Sequence, residues 1–204
     1  MVPDAVSEHY RKLWGEPSRT ADFHFSGHEV KVLKWSADKN PEQVNMYTTV
    51  GASDHARAGY PNDHRVEFYV GLLPAKDDVA RPLAMLPFEA LVNRVELGHG
   101  HSVTFSEPLW SGTDMTGFLL LRPVVEVIPP LRLADGVHVE FLQAIPVFQS
   151  EVSFKAERQA EGLLERWKAA GLAFWNPDRR AEPGHANSGS WAPSEPAGQG
   201  SRQP

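Results

Sequence analysis

The stretch Phe118 to Glu151, FLLLRPVVEVIPPLRLADGVHVEFLQAIPVFQSE, constrains the fold more than any other part of the chain. It predicts two long strands joined through a turn. The first is a near-continuous apolar run, Phe118 to Leu121, resuming at Val124 to Ile128. Runs of this kind belong to strands covered on both faces. Pro129-Pro130 ends the run, because proline has no N–H to donate to a sheet ladder. Asp135-Gly136 then signals a turn, glycine taking positive φ without steric cost. Beyond it Val137, Val139, Phe141, Ile145 and Val147 alternate with His138, Glu140 and Leu142. That period of two describes a strand with one face well buried. A buried helix is the competing reading, and β-branched residues with bracketing prolines favour strands.

At 204 residues the chain suits one domain, or one domain and a tail. The tail is set by composition. From Pro177 to Pro204 there is no Val, Ile, Leu, Phe, Met or Tyr, and Pro, Gly and Ser supply 13 of 28 residues. Such a segment cannot bury enough apolar surface to offset the entropy of ordering it. The expected organisation is a domain over 1–176 and a disordered tail over 177–204.

Charge and cysteine exclude several classes. The formal net charge is -6, which argues against nucleic-acid or anionic-membrane binding, both of which need a basic face. Between Pro82 and Glu151 stand eight acids against three arginines and no lysine, so nearly all the net charge lies there. A solvated acidic surface and a docking face for a basic partner both account for it. With no cysteine, disulfides, thiolate metal sites and cysteine nucleophiles are absent, which suits a reducing compartment. The N-terminus lacks the apolar core of a signal peptide, and no apolar run approaches the ~20 residues that span a bilayer. A cytoplasmic protein is expected.

Periodicity assigns the remaining elements. Val6 to Trp14 reads as an amphipathic helix with Val6, Tyr10, Leu13 and Trp14 on one face and Gly15 as its stop. His28 to Trp35 and Val44 to Val50 read as strands, the second running into the loop Gly51 to Asp54. Arg65 to Leu72 is the cleanest alternation, with Val66, Phe68, Val70 and Leu72 inward. Pro82 to Leu97 turns helical, and Pro87 within it implies two helices or a start at that proline. His101 to Phe105 is a short strand, Pro108 to Thr116 a loop, and Ser153 to Leu172 the longest helix. This order, without strict βα alternation, describes an α+β domain with a central, mostly antiparallel sheet flanked by helices.

No residue pattern compels catalysis. His99-Gly100-His101 and the His24/His28 pair each supply only two imidazoles, and no metal-binding frame completes either, so no metal is expected. Ser53-Asp54-His55 are consecutive, and three neighbours rarely give the two in-line contacts a triad needs. GASDH also departs from GxSxG at its last position. Phosphate-binding glycine loops are absent. The polar loop Thr48–Asp54, followed by a strand bearing Arg65 and Glu67, reads as an internal hydrogen-bonded network or as a contact surface.

Five stretches, in order, carry a resemblance: TTVGASD (48–54), HRVEFYVGLLP (64–74), LGHGHSVTF (97–105), GFLLLRP (117–123) and VEFLQAIPVFQSE (139–151), followed by GLLERW and Asp178-Arg179-Arg180. Together they resemble the Suppressor of Fused domain family over about 150 residues. The resemblance implies a mixed α/β domain that binds proteins, uses no cofactor and catalyses nothing. Stand-alone prokaryotic relatives of this length are similar to immunity proteins that neutralise polymorphic toxins, which implies a basic cognate toxin domain as partner. The alternative is an intracellular regulator or adaptor that sequesters an endogenous partner, as animal members do. The family's Thr–Gly–Ser–Asp loop and Arg–Glu strand match Thr49, Gly51, Ser53, Asp54, Arg65 and Glu67, which with Pro146 and Glu151 are expected to be scaffold. His101 falls where animal members carry an aspartate near the peptide they bind, and Arg94 where they carry an aromatic. Partner contacts are expected at Glu96, His101, Glu107, Glu140 and Asp54.

Overall fold

A computed structural model describes residues 1–25, 27–54, 64–93, 95, 97–123 and 126–181. Eight strands form one sheet: β1 (Arg19–Phe25), β2 (His28–Trp35), β3 (Asn45–Val50), β4 (His64–Leu72), β5 (Ser102–Thr104), β6 (Met115–Leu121), β7 (Leu131–Arg132) and β8 (His138–Phe148). Their order is β1-β2-β3-β4-β8-β6-β5, with β7 paired to β8. Every pairing is antiparallel except β4 with β8, which is parallel. Three helices flank it: α1 (Val2–Trp14), α2 (Ala80–Asn93) and α3 (Gln149–Ala169). The mixed architecture with a mostly antiparallel sheet is the one expected.

The two faces have different covers. On one, Val66, Phe68, Val70 and Leu72 of β4 join Phe118 and Leu120 of β6 and Leu83 and Leu86 of α2 in the largest core. On the other, α1 places Val6, Tyr10 and Trp14 against Trp35 and Phe141, and α3 places Ala160, Leu163 and Trp167 over Leu119, Leu121, Ile145 and Val147. Strand β6 is thus buried on both faces, as its continuous apolar run implies. It pairs with β8 in the expected way.

Several expectations need correction. The first long strand stops at Leu121, and Val127 and Ile128 are not strand, although Ile128 still buries its side chain. Val124 and Val125 lie outside the described residues. The single helix α2 runs through Pro87 without a break. The lost hydrogen bond costs roughly 3 kcal/mol, and burial of Leu83, Leu86 and Phe88 on either side of the proline opposes it. Leu13 is 38 % exposed, one position off the α1 stripe that the i, i+4 spacing of Val6, Tyr10 and Trp14 defines. Strand β1 had no counterpart in the periodicity reading, because RTADFHF mixes charge with aromatics. Among the described residues no helix is long and apolar enough to cross a membrane. Glu96, Arg94 and residues 182–204 lie outside the described residues.

Candidate partner-binding site

Two buried carboxylates collect most of the buried side-chain hydrogen bonds around β4 and β8. The β3–β4 register brings Glu67, fully buried, beneath the loop that follows β3. Its Oε1 accepts from the Gly51 N–H at 3.0 Å, the Ser53 N–H at 3.0 Å and the Ser53 hydroxyl at 2.6 Å. Its Oε2 accepts from the Thr49 hydroxyl at 2.6 Å, whose oxygen in turn accepts from the Phe68 N–H at 2.9 Å. Burial pushes the Glu67 carboxyl above its ordinary range, against the pull of these donors. Gly51 is required here: it sits at φ 105°, and a Cβ would lie 2.7 Å from the Glu29 carbonyl oxygen. Arg65 donates to the Ser53 carbonyl at 2.7 Å, and the Tyr10 hydroxyl donates to the Thr49 carbonyl at 3.1 Å, tying α1 to the same loop. Asp54 is exposed at the end of the loop and takes no part beyond its backbone N–H, which bonds the Gly51 carbonyl at 3.2 Å.

A second buried carboxylate anchors the opposite end of β8. Glu151 accepts from both ends of the Arg179 guanidinium at 2.8 Å, from the Trp167 indole at 2.9 Å and from the Phe148 N–H at 2.9 Å. Arg179 also donates to the Pro146 carbonyl at 2.7 Å and lies over the Phe148 and Trp167 rings. Arg179 thus ties the Pro146 carbonyl and the Glu151 carboxylate together. Arg179 is 9 % exposed and belongs to the folded body although composition placed it in the tail. The tail's lack of apolar residues hid one buried cation.

Among the described residues expected at a partner surface, Asp54 and Glu107 lie at opposite ends of the sheet. His101 is exposed, with its Nδ1 accepting from the Gly98 N–H at 3.2 Å. Glu140 is half-buried and pairs with Arg122. Asp54 follows β3 at the end of the sheet where β8 begins, whereas Glu107 follows β5 at the end where β8 finishes. Glu107 borders a substantial cavity.

That cavity is a cleft of ≈ 990 Å³ between the β1 edge, α2 and the 104–112 loop. Its floor is apolar, with Phe23, Met85, Phe105 and Trp110. One wall is organised by Asp77, which sequence reasoning missed. Its carboxylate accepts from Arg19, from the Lys34 ammonium at 2.5 Å and from the Tyr47 hydroxyl at 2.8 Å. Burial alone would raise the Asp77 carboxyl, and bonds from Lys34, Tyr47 and Arg19 overcome it and hold the group below the usual range. Burial, then the bond to Asp77, keeps Tyr47 protonated far into alkali. The cluster draws on strands and a loop far apart in sequence, so no local motif announces it. Among the described residues no three His, Asp or Glu are placed to hold a metal ion.

The family model for Suppressor of fused protein (SUFU) matches residues 26–180. No curated protein sequence matches the chain. Among solved structures the fold is similar to a SUFU homolog from Neisseria gonorrhoeae, with 17 % identity and a TM-score of 0.65 over 88 % of this chain and 96 % of that one. It is similar also to a chain of the Sufu–Fu complex, with 15 % identity and a TM-score of 0.66 over 88 % and 91 %. Drosophila Suppressor of Fused matches at 14 % identity and a TM-score of 0.62, over 88 % of this chain and 50 % of that protein.

Proposed function

The chain belongs to the Suppressor of fused family, and from that premise we propose that it is a non-catalytic protein-binding domain, acting as an immunity protein that neutralises a basic toxin domain by direct contact. The observation that carries the non-catalytic reading is the use of both buried carboxylates as scaffold. Glu67 and Glu151 are each held by four scaffold donors, and the Ser53 hydroxyl donates to Glu67, not to a base. Groups committed in this way have little freedom left for acid–base work. Exposed acids such as Asp78 and Glu107 support a basic partner, since complementary charge speeds encounter and sets register. Absence of cysteine supports a reducing, cytoplasmic setting. The fold shared with a chain of the Sufu–Fu complex supports the second reading, sequestration of an endogenous partner.

Co-expression separates the two. The toxin domain encoded immediately upstream, expressed alone, is expected to arrest growth, and this chain is expected to restore it and co-purify with the toxin in a fixed ratio. Growth arrest unchanged by the chain, or no toxin domain upstream, removes the immunity reading.

A further inference from the structure

Around the cleft Arg19, Lys34 and Arg81 balance Asp77, Asp78 and Glu107, and Glu89 is already engaged. What the cleft offers a ligand is therefore its floor of Phe23, Met85, Phe105 and Trp110, which selects by shape and apolar contact and not by charge. The chain itself leaves the folded body beside this opening. Lys76, the neighbour of Asp77 in the cleft wall, pairs with Asp178 at 3.0 Å, and the described part of the chain ends at Ala181, three positions later. Residues 182–204 contain one large apolar side chain, Trp191, in the run SGSWAPSEP (188–196). Trp191 stands ten residues beyond Ala181, a stretch of chain that can span up to about 33–36 Å. Pro193 and Pro196, three apart, favour the polyproline II form that docks on aromatic-lined grooves. From Ala186 to Ser194 no residue is charged, which matches the balance of the cleft.

We propose that the cleft is the docking surface for this chain's own Trp191-Ala192-Pro193 segment, with the indole seated on the Phe23, Phe105 and Trp110 floor. A tryptophan carries a large apolar area on few rotatable bonds, so one side chain sustains such a contact. The ion pair of Asp178 with Lys76 and the bonds of Arg179 to Glu151 anchor the chain just before the segment. Tethering from that anchor holds the segment at a millimolar effective concentration, so a contact that is weak for a free peptide still fills the cleft in cis. A protein partner that uses the cleft has to displace the segment first. Ordering the segment costs entropy, so the docked form is lost on heating before the body unfolds, and the thermal midpoint does not report it.

The chain has no cysteine, so Ser194→Cys gives a single site for a nitroxide label on the full chain. Paramagnetic broadening of backbone amides is expected to concentrate in β1 and the 104–112 loop. Adding Trp191→Ala is expected to reduce it there by roughly threefold or more. A mixture of nitroxide-bearing chain and isotope-labelled chain without nitroxide is expected to show none of it. The second probe is the peptide SGSWAPSEP, acetylated and amidated at its ends. It is expected to bind the Trp191→Ala chain, shifting the same amides, and to bind the wild-type chain roughly threefold or more weakly, because the tethered segment already holds the cleft. Broadening spread evenly or centred on α1, broadening unchanged by Trp191→Ala, equal peptide affinity for the two chains, or no binding at millimolar peptide each overturns the proposal. Broadening that survives in the mixture assigns the cleft to the segment of a second copy and overturns docking in cis. None of these outcomes touches the protein-binding reading, which stands or falls on toxin rescue and co-purification.

Discussion

Glu67 is a carboxyl group with no exposed surface, and its four donors fix the loop after β3. Glu67→Ala leaves two backbone N–H groups and two hydroxyls without their acceptor. The expected loss is about 3 kcal/mol of folding stability, read from the urea midpoint. The pH dependence follows from the raised carboxyl. A folded-state pKa above the unfolded value means that folding favours the protonated form. The contribution of Glu67 is therefore fully present below an unfolded pKa of about 4.3 and is lost as pH rises through the folded value. Glu67→Gln removes this titration, so the gap between wild type and variant is expected to narrow as pH rises from mildly acidic to neutral. A widening gap in denaturation series at each pH overturns the assignment. Asp77 works in the opposite window: its depressed pKa gives stability above the unfolded value that is lost as pH falls. Thr49, Gly51, Ser53 and Glu67 were legible in the sequence as one polar loop and one charged strand position. That the loop's donors converge on a single carboxylate was not, because convergence depends on the β3–β4 register.

At the scale of elements, periodicity found α1, β2, β3, β4, β8 and α3 and misplaced what tertiary packing decides. The apolar stripe of α3 is continuous in sequence, yet the helix breaks at Gln159, with φ 64° and ψ 176°. That backbone region is essentially restricted to glycine. Gln159→Gly is expected to raise stability by about 1 kcal/mol by removing the Cβ conflict, a gain that thermal unfolding can read. A loss of stability would mean that the glutamine side chain makes a contact worth more than the strain. Composition drew the domain's end at residue 176, whereas Arg179 closes the anchor between β8 and α3. Arg179→Ala strands the buried Glu151 and is expected to cost about 3–5 kcal/mol. Truncation after Asn176 is expected to cost a similar amount, and truncation after Ala181 to leave the thermal midpoint unchanged. Equal midpoints for the two truncations contradict the anchor.

For the whole molecule, the eight acids between Pro82 and Glu151 suggest one negative face, and the fold takes two of them out of it. Glu151 is buried against Arg179 and Glu140 pairs with Arg122, so two of the eight are balanced locally. Glu89 and Glu107 border the cleft, and Asp54, which lies outside that stretch of sequence, sits at the end of the sheet opposite Glu107. Linear charge density is visible in a sequence; which charges share a surface depends on strand order and on pairings such as Glu140 with Arg122. Long-range attraction decays over about 8 Å at physiological ionic strength, so acids at opposite ends of the sheet act on a bound partner separately. If a basic partner seats in the cleft, Glu107→Lys weakens it several-fold and flattens the salt dependence of its affinity. Asp54→Lys then changes the affinity by less than twofold under the same conditions. Titration of the two variants with the co-purified partner at low and moderate salt decides between the ends. The reverse order, Asp54→Lys damaging and Glu107→Lys silent, moves the interface to the Glu67 loop.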